Sequence, residues 1–130
     1  MFDDVVKTFG QLNIAVNCVG KVLKKPITET SEEEYDEMYI SCTKDSIDDR
    51  FAINSKAAYF FIKEAALHIK PHADGKIITI VTSLLAAFTG FYSTYAGAKA
   101  PVEHFCRAAA KELGEKGISV NNIGPGPMDT

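Results

Sequence analysis

Three short apolar runs constrain this chain most: LNIAVNCVG, GKIITIVT and ISVNNIG. Each has strand length, and the β-branched GKIITIVT follows the turn pair Asp74-Gly75. Longer stretches with helical spacing separate them. Parallel strands need a long crossover, and a helix supplies it. The spacing therefore predicts helix, strand, helix, helix, strand, helix, strand, an α/β fold with a parallel sheet and right-handed crossovers. In the first helix Phe2, Val5, Val6 and Phe9 share one face, and Gly10 can stop it. The second, TSEEEYDEM, opens on a capping box of Ser31 and Glu34. The third, FAINSKAAYFFIKEAALHI, ends near Pro71. The last runs from about Thr94 to Leu113, with Gly114 or Gly117 to close it. Pro101 lies inside it and should press on the Gly97 carbonyl, giving a mild kink. Residues 39–50 are polar and weakly periodic and read as a loop or frayed turn, with Ser46 and Asp49 able to cap the next helix.

In open parallel sheets ligands bind beyond the carboxyl ends of the strands. Those ends are Asn17–Gly20, Thr82–Ser83 and Gly124–Thr130, so the informative loops share one rim. Ser83 ends the middle strand, Tyr95 opens the next helix, and Lys99 follows at i+4 on the same helix face. A tyrosine phenol titrates near pH 10 and shuttles protons poorly at neutral pH; a nearby cation favours phenolate. A serine hydroxyl could hold a carbonyl or alcohol oxygen within reach of that phenol. The set suits proton transfer to an oxygen whose carbon gains or loses hydride. Tyr59 and Lys63 repeat the spacing inside an apolar helix with no serine-ended strand before them, and read as packing.

From GKIITIVT to PGPMDT the sequence resembles the C-terminal half of the catalytic domain of a short-chain dehydrogenase/reductase. AVNCVG resembles the family's Asn-Asn-Ala-Gly strand end, FAINSKAAYFF its central helix with an active-site Asn, and PGPMDT its Pro-Gly-x-x-x-Thr loop. The resemblance implies a partial Rossmann-like, doubly wound parallel sheet of about three strands with flanking helices. It implies that Tyr95 is the general acid/base and that Lys99 assists it and binds the cofactor ribose. Ser83 would orient the substrate oxygen, and Asn54 would support a water relay to Lys99. Asn17 and Gly20 would line the cofactor cleft, while Pro125, Gly126 and Thr130 would approach the nicotinamide end. The implied reaction is hydride transfer between NAD or NADP and a small carbonyl or alcohol. The helices carrying Asn54 and Tyr95 would pair in a homo-oligomer.

The sequence also departs from the family. Nine glycines are present, but none form the Thr-Gly-x-x-x-Gly-x-Gly turn that binds pyrophosphate at a helix N-terminus. The expectation is a truncated domain over residues 1–130 with an insertion at 39–50. With its neighbour missing, LNIAVN would form an apolar open edge. A non-catalytic remnant or oligomerisation fragment, unable to bind cofactor alone, is the alternative reading. Cys18 replaces the family's second Asn.

Other features bound the function. The net charge of -3 gives no support to a nucleic-acid or anionic-membrane partner. No run approaches the roughly 20 apolar residues that span a bilayer. The N-terminus resembles neither a signal nor a basic transit peptide. Cys18, Cys42 and Cys106 are scattered with no CxxC pair, which predicts reduced, buried or half-buried thiols in a cytoplasmic protein. His68 and His72 flank Pro71 with no evident third ligand, so no metal site is expected.

Overall fold

The computed structural model describes residues 1–39 and 54–127. Ser46, Asp49, Cys42, Thr130 and, apart from Tyr39, the insertion at 39–50 lie outside the described residues. The elements are α1 (Phe2–Phe9), β1 (Ile14–Asn17), α2 (Glu32–Tyr39), α3 (Lys56–His68), β2 (Gly75–Ile80), α4 (Ser93–Leu113) and β3 (Ile118–Ile123). This is the order the periodicity predicts. The strands form one parallel sheet in the order β1-β2-β3. Its register aligns Asn17 with Thr79, and Thr79 with Asn122. All three carboxyl ends therefore meet one rim.

The alternation of side chains along each strand explains the layering. Ala15, Ile77, Ile118 and Val120 face inward and join Ala58, Ile62 and Ala65 of α3 and Val102 and Cys106 of α4 in one core. On β1 the other face is open: Ile14 is 56% exposed and Val16 48%. The apolar edge expected from LNIAVN is thus an exposed face as well.

The ends of α1 and α4 and the start of α2 follow their sequence signals, but α3 begins at Lys56, so Asn54 lies in the turn before the helix and not on it as expected. Ser31 and Glu34 form the reciprocal box, with Glu34 N donating to Ser31 Oγ at 3.2 Å and Ser31 N to Glu34 Oε2 at 2.9 Å. Gly10 closes α1 in the left-handed region, at φ 81°. At the end of α4, Gly114 stays helical and Gly117 takes the left-handed turn at φ 69°, so Gly117 is the stop. α4 continues through Pro101 as a single helix.

α1 is tied to α3 by aromatic and polar contacts. Phe2 meets Phe61 edge-on at 5.4 Å. His68 Nδ1 lies 2.7 Å from the Glu64 carbonyl, and its Nε2 2.9 Å from Asp3 Oδ1. Both partners are acceptors, so the ring satisfies both only as imidazolium. The Glu64 carbonyl and then Asp3 raise the His68 pKa above its usual 6.5, and His68 lowers that of Asp3 below 3.8. The His68 contribution to stability is therefore full below pH 6.5 and is lost as pH rises through the raised value. The Asp3 contribution is present above pH 3.8 and is lost as pH falls through the lowered value. Thermal melts should show lower stability at about pH 8.5 than at about pH 5.5, and His68→Gln should flatten that difference. An unchanged slope in the variant would remove His68 as its source.

Candidate active site

Lys99 organises the rim. It projects from the second turn of α4 across the ends of β1 and β2, and is 4% exposed. Its Nζ donates to the Val19 carbonyl at 3.2 Å and the Ile80 carbonyl at 3.0 Å. Burial pushes its pKa below the usual lysine range. An ammonium is tolerated here because both strand ends turn a carbonyl towards it.

Gly20 and Asn54 complete this side. A Cβ on Gly20 would sit 2.8 Å from Lys99 Nζ and 3.0 Å from Asn54 Oδ1. The two polar groups thus converge over one bare backbone position. Asn54 is fully buried and acts like a peptide unit: its Oδ1 accepts from Lys21 N at 2.9 Å and its Nδ2 donates to the Lys21 carbonyl at 3.0 Å. Asn17 is buried and holds the turn by accepting from Val19 N at 3.0 Å. Gly20→Ala should cost about 1–3 kcal/mol, the usual scale for overpacking. Gly90→Ala, where a Cβ meets nothing within 4 Å, is the matched control. Urea midpoints for both variants test this; equal midpoints would mean the Lys99–Asn54 pocket relaxes freely.

A second cluster forms between the ends of β2 and β3. Ser83 N donates to the Pro125 carbonyl at 3.0 Å, and a Cβ on Gly126 would lie 3.9 Å from Ser83 Oγ. Thr82 caps the 3-10 turn at 83–85 by accepting from Leu84 N. That turn packs against α4. Tyr95 is half-buried on the first turn of α4, one turn before Lys99, with its ring edge-on to Tyr92 at 6.5 Å. The structure therefore brings Asn17, Gly20, Asn54 and Lys99 together, and Ser83, Pro125 and Gly126 together, with Tyr95 on the helix that flanks both.

Over residues 1–130 the sequence matches the model of a family described as enoyl-(acyl carrier protein) reductase. The chain belongs to the short-chain dehydrogenase/reductase family. It is 33% identical over 132 residues to the hydroxynaphthalene reductase-like protein Arp2 of Metarhizium brunneum, covering 100% of this chain and 44% of that protein. It is 33% identical over 127 residues to the short chain dehydrogenase mdpC of Emericella nidulans, covering 97% of this chain and 43% of the relative. Among solved structures, a putative dehydrogenase from Burkholderia cenocepacia with bound NADP superposes with a TM-score of 0.83 at 60% identity, covering 99% of this chain and 43% of the other. The chain thus spans less than half the length of these relatives.

Membership in this oxidoreductase family accounts for the parallel sheet and the rim. It does not account for Cys18, which is exposed, not buried or half-buried as expected. β1 ends at Asn17, so Cys18 leaves the sheet at the rim. Cys106 is buried against Thr79 at 3.1 Å, and burial pushes its thiol pKa up. Tyr59 makes ring contacts with Phe60 and Phe105 away from the rim but is 51% exposed, so Tyr59 and Lys63 line a surface groove and not the core. The Val19 and Ile80 carbonyls are the functional groups that sequence reasoning missed, since a backbone acceptor leaves no residue signature. Among the described residues, no helix is long and apolar enough to cross a membrane. No group of three metal-ligating side chains converges among them either.

Proposed function

We propose that this chain carries the proton-transfer half of a short-chain dehydrogenase/reductase site acting on a small carbonyl or alcohol. The observation that carries the reading is the buried Lys99 ammonium, held over Gly20 beside Asn54 and one turn from Tyr95. Tyr95 gives its phenolic proton to the substrate oxygen in reduction and takes it back in oxidation. Lys99 stabilises the charge left on the phenol oxygen, and Asn54 supports a water relay to Lys99. Ser83 orients the substrate oxygen. Asn17 and Gly20 line the cofactor cleft, with Pro125 and Gly126 towards the nicotinamide end. Bound NAD or NADP would supply or accept the hydride. The missing Cβ at Gly20 makes room for Lys99 and Asn54 at the rim, and Lys99, with two of its three N–H groups on the Val19 and Ile80 carbonyls, keeps one that suits a cofactor hydroxyl. NADP is the better-supported cofactor, because the Burkholderia cenocepacia structure holds it.

On this reading residues 1–130 are one truncated domain with an insertion at 39–50, and pyrophosphate binding falls to a glycine-rich turn not found in these residues. The groove of about 350 Å³ between α3 and α4, lined by Tyr59, Lys63, Leu67 and Phe105, is proposed as the homo-oligomer contact. Sedimentation should give a dimer that Leu67→Glu dissociates; a monomeric parent chain would sink the contact. A second reading, a non-catalytic fragment, is favoured by the open β1 face at Ile14 and Val16. Calorimetric titration of the folded chain with NADPH and NADH separates the two. Micromolar binding supports the enzyme; no binding up to millimolar concentrations supports the fragment.

A further inference from the structure

Two loops meet beside Tyr95, and their chemistry is mixed in a specific way. The loop after β1, Gly20 to Pro26, contains three lysines and no acid. Lys25 is neutralised by Glu34, with Nζ 2.8 Å from both carboxylate oxygens. Lys24 instead stands over a ring, its Nζ 5.7 Å from the centre of Tyr92. Tyr92 in turn meets Tyr95 at 6.5 Å. A cation is thus placed one aromatic ring away from the phenol.

The second loop, after the 83–85 turn, presents bare aromatic surface. Phe88 is 90% exposed and Phe91 57%. Phe91 holds φ 73°, a region that costs a non-glycine residue roughly 1–3 kcal/mol. Lys25 N locks it there by donating to the Phe91 carbonyl at 2.7 Å. The same hydrogen bond joins the lysine loop to the phenylalanine loop.

We propose that these loops form the substrate-selective wall of the site, and that it takes an elongated aromatic carbonyl compound bearing an anionic group at its far end. The aromatic body packs on Phe88 and Phe91, and the anion meets Lys24. Lys24 is the specificity-determining residue. The inference rests on Tyr95 being the proton-transferring group, which fixes where the carbonyl lies. Lys24 is exposed, so its ammonium is free to swing from the Tyr92 face to a carboxylate or phosphate on the ligand.

The test needs no nicotinamide. The full chain is titrated by calorimetry with 4′-formylbiphenyl-4-carboxylate and with the neutral biphenyl-4-carbaldehyde. The acid should bind about tenfold more tightly, the scale of one charge-assisted contact. Lys24→Gln should erase the difference and Lys24→Arg should keep it. Phe88→Ala should weaken both ligands alike, and Lys63→Gln, a remote cation over the Phe60 ring, should change neither. Equal binding, no binding of either probe, or a preference that survives Lys24→Gln overturns the proposal. Selective binding of the acid without NADPH binding would remove the reductase reading and leave this wall standing. NADPH-dependent reduction of both aldehydes at equal efficiency would do the reverse.

Discussion

Tyr95→Phe is expected to lower NADPH-dependent carbonyl reduction by a factor of about 10²–10⁴, the range for losing a general acid. The ring stays, so the edge contact with Tyr92 and the first turn of α4 are kept. Urea midpoints of the variant and the parent should therefore coincide. Lys99→Met separates this from a structural effect. It leaves Tyr95 in place but deprives the Val19 and Ile80 carbonyls of their donor. An abandoned buried acceptor costs about 1–3 kcal/mol, so activity and stability should fall together in Lys99→Met and only activity in Tyr95→Phe. A Tyr95→Phe variant that keeps its turnover would rule out Tyr95 as the acid and move attention to another hydroxyl at the rim.

Much of this site is legible in the residues, and what is not legible has a physical cause. The strand–loop–helix setting separates Tyr95 and Lys99 from the equally spaced Tyr59 and Lys63, and the structure puts Lys99 at the strand ends and Tyr59 and Lys63 in a surface groove. Hydrophobic periodicity suffices for that, because it fixes which end of which strand each helix follows. The stop of α4 was open between two glycines because composition does not encode φ; only Gly117 is left-handed. Asn54 is singled out in the sequence only through the family pattern. Its two hydrogen bonds to the Lys21 backbone are not legible there, since they join residues 33 apart through main-chain atoms. The wall formed by Lys24, Tyr92 and Phe91 escapes sequence reading for the same reason: one backbone bond from Lys25 to Phe91 brings the loops together.

The two faces of the sheet should respond to substitution very differently, with Ile77→Ala as the largest stability loss. Ile77 is fully buried at the centre of β2, paired to Ala15 on one side and Val120 on the other. Truncating it leaves a cavity between three strands and two helices, a loss of about 2–5 kcal/mol. Native domains hold about 5–15 kcal/mol in total, and a sheet covered on one face has less apolar burial to draw on. Ile77→Ala should therefore leave a large unfolded fraction without denaturant, read as a lost urea baseline. Val16→Thr changes a side chain of similar size on the open face, 48% exposed, and should stay within about 0.5 kcal/mol of the parent. If Val16→Thr proved as damaging as Ile77→Ala, the outer face of β1 would have to be covered in solution. The chain would then be stable only with a partner surface over that face.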